Sequence, residues 1–470
     1  MFYGRSHELD FLNQKYNTKQ AEFVVLYGRR RIGKTSLIRE FIKDKRHFFY
    51  SAVQVTDNVQ LSKVSELIFD TFGKSAYMNS FEDWEKALNY LGDLSEGGEK
   101  IVIAIDEFPY MAQGNPSLAS VLQKVWDLSL SHKNVMMVLC GSAMSFMEHE
   151  VLGEKNPLYG RTTGIIKLNE LDFDIARQFF GAGNITEHLK YFAVFSGVPY
   201  YLQMINPDLT FEQNLLKNIF SVNSVLFNET EFLLKQELRE VAQYNAIVES
   251  IAHGDTRLND IFMKTGIEKT KLPYYIGNLI DLGIVRREFP ADMKDKEKSK
   301  SKSGLYKLDN GFFRFYYAFV YPYMSAILEG NANIILEEVV TPRVDEYIAY
   351  EFENVVRRHV QRWAGENKLP IRPVKVGRWW AKDQEIDVMG IDLHGNLILG
   401  ECKWQLKKMG LNHLNQLKIK AENFDLNNKK VYFMLFSKSG FTEELTQVAE
   451  SEETLILCDY SGEEVRIIKA

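Results

Sequence analysis

Residues 28–35 read Gly-Arg-Arg-Arg-Ile-Gly-Lys-Thr and fit the pattern GxxxxGK(S/T) without a mismatch. A short apolar run at residues 23–27 precedes the stretch, and residues 34–44 after it have helical character, which is the context that this motif requires. Glycines let the backbone wrap closely around phosphate, and N–H groups at the start of a helix supply positive potential. The stretch therefore predicts a strand–loop–helix unit that binds and hydrolyses ATP or a closely related nucleoside triphosphate.

The residues of this loop have separate expected roles. Lys34 reaches the β- and γ-phosphates and takes part in catalysis, while Thr35 holds Mg²⁺. The other nucleotide contacts are expected from the rest of the loop and the residue after it: Gly28, Arg29, Arg30, Arg31, Ile32, Gly33 and Ser36. ATP and Mg²⁺ are the cofactors that the sequence predicts.

A buried strand that ends in two acids follows at residues 101–108, IVIAIDEF. Asp106 is expected to bind Mg²⁺, and Glu107 to orient or deprotonate the attacking water. The next apolar run, residues 135–139, leads to Ser142, which either touches water and γ-phosphate as a catalytic residue or simply ends the strand. Arg161 is either a charge-stabilising catalytic arginine or a surface arginine.

The whole chain has 470 residues, which suggests two to four domains. Its net charge of −6 excludes electrostatic binding of nucleic acid by the chain as a whole. Three scattered cysteines form no disulfide framework and favour a reducing cytosol. We expect no signal peptide and no membrane span, because the apolar stretch at residues 312–323 is too short. The expected location is cytoplasmic.

Alternating strands and helices between residues 23 and 166 predict an α/β P-loop NTPase with a parallel sheet. A helical lid and a winged helix are expected next, and then a restriction-nuclease-like α/β domain. The predicted boundaries are 1–167 for the ATPase core, 168–239 for the lid, 240–310 for the winged helix, 311–345 for a connecting segment and 346–470 for the last domain.

The winged helix is a candidate for DNA binding. Its helices are predicted at residues 241–252, 257–264 and 268–282, its wing strands at 284–289 and 304–308, and a mobile charged tip at 292–303. Because a winged helix offers its third helix to the major groove, candidate contacts lie on that helix and along the wing: Lys269, Lys271, Tyr274, Tyr275, Asn278, Arg286, Arg287, Lys294, Lys296, Lys298, Lys300 and Lys302. Asp292, Asp295 and Glu297 dilute the charge of the tip. The domain could instead bind protein.

These motifs, in this order, resemble the archaeal-type ATPases of the AAA+/STAND group that have a C-terminal nuclease-like domain of unknown function. The matching elements are Tyr3-Gly4-Arg5 with Glu8-Leu9, GSAMSFM at 141–147, PLYGR at 157–161, SGVPYYL at 196–202 and the aromatic segment at 309–322. The resemblance implies that Gly4 and Arg5 lie near the adenine and that Pro199 packs near the base. The possible partners are DNA, through the winged helix and the C-terminal domain, a protein, or a second copy of the chain.

A second set of polar residues begins near residue 385. Asp387 belongs to one predicted strand, and Glu401 and Lys403 lie two apart on the next, so both point to one face. Two carboxylates and a lysine can hold Mg²⁺ and activate water for phosphodiester cleavage. This D…ExK pattern resembles the PD-(D/E)XK nucleases, and Glu353 on the preceding helix resembles their helix-borne acid, although Glu351 competes with it.

Several residues near this set have roles that the sequence leaves open. Gln416 is an additional candidate for the site, and Trp379, Trp380 and Trp404 either stack on bases or belong to the core. Three functions remain: an ATP-dependent DNA-directed enzyme with a nuclease-like domain, a STAND-type switch that signals to a protein without cleavage, and a DNA-binding NTPase with an inert C-terminal clamp.

Overall fold

The apolar runs of the N-terminal part form a parallel sheet of β1 (Glu22–Tyr27), β2 (His47–Ser51), β3 (Ile101–Asp106), β4 (Val135–Gly141) and β5 (Gly164–Lys167). Their order is β2-β3-β4-β1-β5. Alternate residues of β1 enter different cores, Phe23 and Val25 on one face and Val24 and Leu26 on the other. Burial on both faces is typical of parallel strands and confirms the α/β fold.

The computed structural model describes residues 2–73, 80–299, 301–381, 384–424, 426 and 429–469. The chain divides into a first unit, Met1–Leu171 with Val198–Tyr200, and a second unit, Asp172–Gly197 with Tyr201–Ala470. The helices of the first unit are α1 (Ser6–Tyr16), α2 (Lys34–Ile42), α3 (Asp57–Phe72), α4 (Trp84–Asp93), α5 (Phe108–Gly114), α6 (Leu118–Leu128) and α7 (Met144–Phe146).

The second unit begins with helical segments. They are α8 (Phe173–Ala176), α9 (Ile185–Phe195), α10 (Pro199–Leu202), α11 (Phe211–Leu215) and α12 (Glu229–Glu237), where α10 starts in the first unit. The region predicted to be a winged helix follows, with α13 (Val241–Ala252), α14 (Leu258–Thr265), α15 (Leu272–Asp281) and the antiparallel strands β6 (Val285–Glu288) and β7 (Leu305–Leu308).

The third helix of this arrangement begins later than its sequence suggested. Pro273 occupies the first turn of α15, where a missing N–H costs nothing, whereas deeper inside a helix it would break a hydrogen bond. Lys269 therefore precedes the helix, and Lys271 is its N-cap residue. The expectation that α15 carries both lysines was wrong.

The first residues of the predicted wing tip contact the strand Lys375–Ala381. The tip contains the short helix α16 (Asp295–Lys298). Asp292 accepts a hydrogen bond from Trp379 Nε1 at 3.0 Å, and Lys375 Nζ donates to the Met293 carbonyl at 3.0 Å. Lys300, another predicted DNA contact, lies outside the described residues.

The segment between the winged helix and the last domain is dominated by buried aromatic side chains. It contains α17 (Gly311–Phe315), α18 (Met324–Leu328) and α19 (Ala332–Ile335). Phe312, Phe313 and Phe315 are fully buried, as expected for a stretch that packs in a protein core. Within the described ranges, no helix has both the length and the hydropathy needed to cross a bilayer.

A mixed sheet forms the last part of the chain. Its elements are α20 (Val344–Gly365), β8 (Lys375–Ala381), β9 (Gln384–Ile391), β10 (Leu397–Lys403), α21 (Leu411–Ala421), β11 (Val431–Ser437), α22 (Glu443–Ser451), β12 (Leu455–Asp459) and β13 (Arg466–Lys469). The strand order is β13-β12-β11-β10-β9-β8. β8, β9 and β10 are antiparallel neighbours, whereas β10, β11 and β12 run parallel.

Candidate functional site

The loop between β1 and α2 has a backbone that only glycine allows at Gly28. Its φ is 156°, and a Cβ there would lie 2.4 Å from the Leu168 carbonyl oxygen and 2.5 Å from Ile32 Cδ1. Gly33 and Arg31 also have positive φ, of 89° and 71°. The loop is therefore a tightly folded turn that leads directly into the first turn of α2, as a phosphate-binding loop requires.

Lys34 is held inside this loop. It is 6% exposed, and its Nζ donates to the Arg29 carbonyl at 3.0 Å. Burial lowers the pKa of the Lys34 ammonium below its ordinary value, although Cys140, Glu107 and Asp106 act in the opposite direction. A phosphate group would offer this buried cation an anionic acceptor in place of a carbonyl.

Thr35 and Asp106 meet at the ends of α2 and β3. Thr35 Oγ1 donates to Asp106 Oδ2 at 2.6 Å, and Asp106 is buried. A hydroxyl and a carboxylate are oxygen ligands of the kind that Mg²⁺ prefers, together with water and substrate phosphate. The two residues therefore fit the magnesium site expected from the sequence.

Glu107 is held by Ser142. Glu107 has a positive φ of 53°, and its Oε2 accepts hydrogen bonds from Ser142 Oγ at 2.7 Å and from the Ser142 backbone N–H at 3.3 Å. Ser142 is itself buried. The geometry supports a positioning role for Ser142, which fixes the carboxylate expected to orient water.

The N-terminal and GxP elements both touch the loop. Arg5, which is 8% exposed, donates to the Ile32 carbonyl at 3.2 Å and to the Asn169 carbonyl at 2.5 Å. Tyr200 stacks under Arg31, with the guanidinium carbon 4.6 Å from the ring centroid. A Cβ on Gly33 would lie 3.9 Å from Pro199 Cγ. Arg5 and Pro199 therefore lie beside the loop, with Arg5 supporting its backbone, and Gly4 directly precedes Arg5.

The remaining loop arginines are tied to neighbouring side chains, whereas Arg161 makes its contacts elsewhere. Arg29 pairs with Glu170 at 2.9 Å, and Arg30 donates to the Tyr110 hydroxyl at 2.9 Å. The described hydrogen bonds of Arg161 go to Asp127 and to the carbonyls of Pro157 and Tyr159. This arrangement favours the interpretation of Arg161 as a surface arginine.

A second group of carboxylates, the acidic centre, consists of Glu353 on α20 with Glu385 and Asp387 on β9. One oxygen from each lies within 4.8 Å of the others. Oxygens bound to one Mg²⁺ at about 2.1 Å lie about 3 Å apart when adjacent and about 4.2 Å apart when opposite, so the three carboxylates would have to move closer together to bind one ion. Glu385 was missed as a ligand, although its two-residue spacing from Asp387 puts both on one face of the strand.

Basic side chains and burial set the electrostatics of the acidic centre. Arg357 donates to Glu353 at 3.4 Å and to the Asp387 carbonyl at 2.7 Å, and Arg378 pairs with Glu385. Burial, together with the charges of Glu353 and Glu401, raises the pKa of Asp387 to about 7. Burial also raises the pKa of Glu353. A divalent cation would relieve this crowding of negative charge.

Glu401 lies beside the acidic centre but binds two lysines. Its Oε1 accepts from Lys403 Nζ at 2.6 Å and its Oε2 from Lys420 Nζ at 2.8 Å. Although burial opposes the effect, the two ammonium groups hold the pKa of Glu401 below its ordinary value. Lys420 was missed, and Gln416, which was named instead, is exposed one turn earlier on the same helix.

Packing distinguishes Glu353 from Glu351 and assigns Trp379 to the core. Glu351 pairs with Arg314 at 2.7 Å, so Glu353 is the acid of α20 that joins the acidic centre. Trp379 is 6% exposed and packs on Phe424 with ring centroids 4.7 Å apart. A role of Trp379 in the core is therefore favoured over base stacking.

Four of the candidate DNA contacts in the predicted winged helix bind other side chains of the second unit. Lys271 pairs with Glu268 at 3.2 Å, Tyr275 donates to Glu240 at 2.6 Å, and Asn278 donates to the Tyr244 hydroxyl at 2.7 Å. Arg286 binds residues that include Asp309, Tyr350 and Asn354. By contrast, Tyr274 is 66% exposed on α15.

Two family models match the chain. One is described as an ATPase domain predominantly from Archaea and matches residues 2–205. The other, DUF234, is described as archaeal and bacterial proteins of unknown function and matches residues 316–415. The first range contains the loop and its partners, and the second contains the acidic centre, Glu401 and Lys403.

Individual proteins that resemble this chain agree with the two family matches. The uncharacterised protein MJECL04 of Methanocaldococcus jannaschii is 33% identical over 440 residues, 93% of this chain and 92% of that protein. The uncharacterised ATP-binding protein MJ0423 of the same organism is 50% identical over 46 residues, 10% of this chain and 78% of that protein. The Walker-type ATPase PABY2304 of Pyrococcus abyssi superposes with a TM-score of 0.51 at 18% identity, covering 67% of this chain and 96% of that chain. The superposition supports the P-loop ATPase fold.

Proposed function

Because the chain belongs to the family of archaeal-type ATPases whose ATPase domain is joined to a DUF234 region, we propose that it binds ATP with Mg²⁺ and hydrolyses it to control a metal-dependent nuclease centre that acts on DNA. The proposed nuclease activity rests on one observation. The carboxylates of Glu353, Glu385 and Asp387 lie close together, and the bonded pair Glu401 and Lys403 lies beside them. The setting proposed is the cytoplasm, where the free thiols of Cys140, Cys402 and Cys458 persist.

Hydrolysis is assigned to the loop and its immediate partners. Lys34 leaves the Arg29 carbonyl for the β- and γ-phosphates, where its charge stabilises the transition state. Mg²⁺, held by Thr35 and Asp106, supplies further charge neutralisation when it is bound. Glu107, fixed by Ser142, orients the water that attacks the γ-phosphorus and accepts its proton as the bond to the β-phosphate oxygen breaks.

Phosphodiester cleavage is assigned to the acidic centre and its neighbours. A divalent cation held by Glu353, Glu385 and Asp387 supplies a Lewis acid for the phosphoryl oxygens. Lys403, held by Glu401 at 2.6 Å, stabilises the extra negative charge that develops as water adds to phosphorus and the bond to the leaving oxygen breaks. The topology of a helix, three antiparallel strands, a helix and a parallel strand supports the restriction-nuclease-like interpretation.

A STAND-type switch with a protein partner is the second candidate. It is favoured by α15, whose Tyr275 and Asn278 are bonded within the second unit while Tyr274 is exposed. An exposed aromatic residue suits a protein interface better than the major groove of DNA. The partner would be another protein or a second copy of the chain.

ATP hydrolysis and DNA cleavage are each measured in variants of both sites. Lys34→Ala is expected to abolish ATP binding and hydrolysis, whereas Asp387→Asn and Glu401→Gln are expected to abolish Mg²⁺- or Mn²⁺-dependent cleavage of labelled DNA and to leave hydrolysis unchanged. Glu366→Gln is the matched control, because Glu366 caps the same helix as Glu353 and pairs with Lys368.

Retained ATP affinity in Lys34→Ala would refute the loop assignment. Absence of cleavage in the wild type with either metal and any nucleotide would refute the nuclease proposal and favour the protein switch.

A further inference from the structure

Glu401 has an unusual pair of partners for a carboxylate next to a metal-binding set. Lys403 comes from its own strand, two residues away, and Lys420 comes from the last turn of α21. Each ammonium group contacts a different oxygen of the same carboxylate, at 2.6 Å and 2.8 Å. Two cations from two elements therefore converge on one small anionic group.

Each ammonium group has donors left for a second anion. A lysine ammonium has three N–H donors, its contact with Glu401 uses one of them, and lysine binds phosphate as a point charge. Glu401 is 13% exposed, Lys420 is 25% exposed and Lys403 is 32% exposed. The ammonium groups can therefore reach an incoming ligand, while Glu401 below them keeps them in place.

The balance of charge around the site agrees with this role. The carboxylates of the acidic centre and Glu401 number four, as do the basic side chains Arg357, Arg378, Lys403 and Lys420 beside them. Glu288, 3.8 Å from Arg378, adds one more negative charge. The two arginines serve Glu353 and Glu385, which leaves the lysines as the cations nearest Glu401. Addition of a divalent cation would make the site positive and attractive to a polyanion.

We propose that Lys403 and Lys420 together form the phosphate-binding subsite of this centre, with Glu401 holding both ammonium groups for a phosphodiester of DNA or RNA. The inference rests on the proposed nuclease function and adds Lys420, which lies beyond the range matched by DUF234. In the reaction, Lys403 and Lys420 contact the non-bridging oxygens and carry the charge of the transition state, while Glu401 acts as a positioning residue.

The test compares Lys420→Ala with Lys418→Ala. Lys418 lies on the same helix and pairs with Glu452 at 2.9 Å. Lys418→Ala therefore removes one lysine from this helix without removing a contact of the proposed subsite. Binding of a labelled DNA duplex and of a matched RNA strand is measured with Ca²⁺ at several salt concentrations, and cleavage is measured with Mn²⁺. Binding of Mn²⁺ alone is measured by calorimetry.

Lys420→Ala is expected to reduce the slope of log affinity against log salt by about 0.9 for duplex DNA, or about 0.7 for a single strand, the contribution of one phosphate contact. It is expected to slow cleavage by on the order of a hundredfold with Mn²⁺ affinity unchanged. Lys420→Arg should recover part of both, and Lys418→Ala should match the wild type. The nucleic acid that binds more tightly identifies the source of the phosphodiester.

Each failure has a distinct meaning. If the wild type binds and cleaves nucleic acid but Lys420→Ala has the same salt slope and rate, the subsite is refuted and the nuclease function stands. If the wild type neither binds nor cleaves either nucleic acid, the nuclease function is refuted, and the subsite with it. Circular dichroism and the melting temperature of each variant establish that the fold is intact.

Discussion

At the scale of single residues, the proposed chemistry depends on positions where geometry leaves little choice of side chain. Gly28 has no room for a Cβ, Lys34 is buried without a carboxylate partner among its described hydrogen bonds, and Asp387 is a carboxyl group crowded by other acids. Burial disfavours the charged forms of Lys34 and Asp387, and a bound phosphate or divalent cation would offset that cost. Such positions are where function and stability can be separated by measurement.

Gly28→Ala is expected to prevent ATP binding and to destabilise the first unit. Its Cβ would lie 2.4 Å from the Leu168 carbonyl oxygen, so the loop must shift, at a cost of about 1–3 kcal/mol. Gly277→Ala is the control, since it lies in α15 with nothing within 4 Å of the added Cβ, and it should stabilise the protein by about 0.5–1 kcal/mol. Nucleotide titration and chemical denaturation measure both effects. A Gly28→Ala variant that binds ATP normally would contradict the loop geometry.

Metal affinity at the acidic centre is expected to depend on pH. Because burial, Glu353 and Glu401 raise the pKa of Asp387 to about 7, this carboxyl group retains its proton below that pH, and the proton competes with the cation. Mn²⁺ affinity should fall about tenfold for each pH unit below about 7 and level off above it. Calorimetric titrations from acidic to mildly alkaline pH provide the measurement.

Glu353→Gln provides the control for this titration. Removal of one like charge is expected to lower the pKa of Asp387 and to move the midpoint of the pH dependence to a lower value. Affinity will also be weaker throughout, because one ligand is lost. A midpoint that stays near 7 in this variant would contradict the contribution of the Glu353 charge and leave burial as the main cause of the raised pKa.

At the scale of elements, α20 connects the chemistry to the rest of the second unit. It carries Glu353 to the acidic centre, and its Glu351 pairs with Arg314 of α17 at 2.7 Å. Arg314 also lies between the rings of Tyr347 and Tyr350, with its guanidinium carbon 4.9 Å and 4.5 Å from their centroids. A buried ion pair enclosed by aromatic rings fixes the helix that presents Glu353.

Arg314→Ala is expected to destabilise the protein by about 3–5 kcal/mol, because it leaves Glu351 buried without its cation. The double variant Arg314→Met with Glu351→Leu should recover much of this loss, since both charges are then removed. Lys235→Ala, which breaks an exposed pair with Glu231, should change stability by at most about 0.5 kcal/mol. Denaturant unfolding of the wild type and the three variants measures the differences. Equal losses for Arg314→Ala and Lys235→Ala would contradict the assignment of Arg314 and Glu351 as a buried ion pair.

The elements also show what sequence reasoning can and cannot reach. Local patterns predicted the bounds of α13 and β10 and the parallel sheet, because apolar periodicity and burial act over short distances. The start of α15 was placed too early because helical spacing concealed the effect of Pro273. The contact of Lys420 with Glu401 and the contact of Asp292 with Trp379 were not predicted, because both depend on how distant segments of the chain fold together.

At the scale of the whole molecule, the chain joins two sites with different chemistry. The loop with its partners lies in the first unit, and the acidic centre lies in the second. Residues 198–200 belong to the first unit although the chain on either side belongs to the second, and Tyr200 contacts Arg31 of the loop. A nucleotide-dependent change of the loop would therefore act on a segment that continues directly into the second unit. This connectivity supports the proposal that ATP controls cleavage.

The most direct test of that control is the rate of Mn²⁺-dependent cleavage of labelled DNA, measured against the concentration of a non-hydrolysable ATP analogue and of ADP. We expect the wild-type rate to differ between the analogue, ADP and no nucleotide, and Lys34→Ala to cleave at one constant rate in all three conditions. A wild-type rate that is the same at every nucleotide concentration, or that changes equally in Lys34→Ala, would contradict control of the acidic centre by the nucleotide loop.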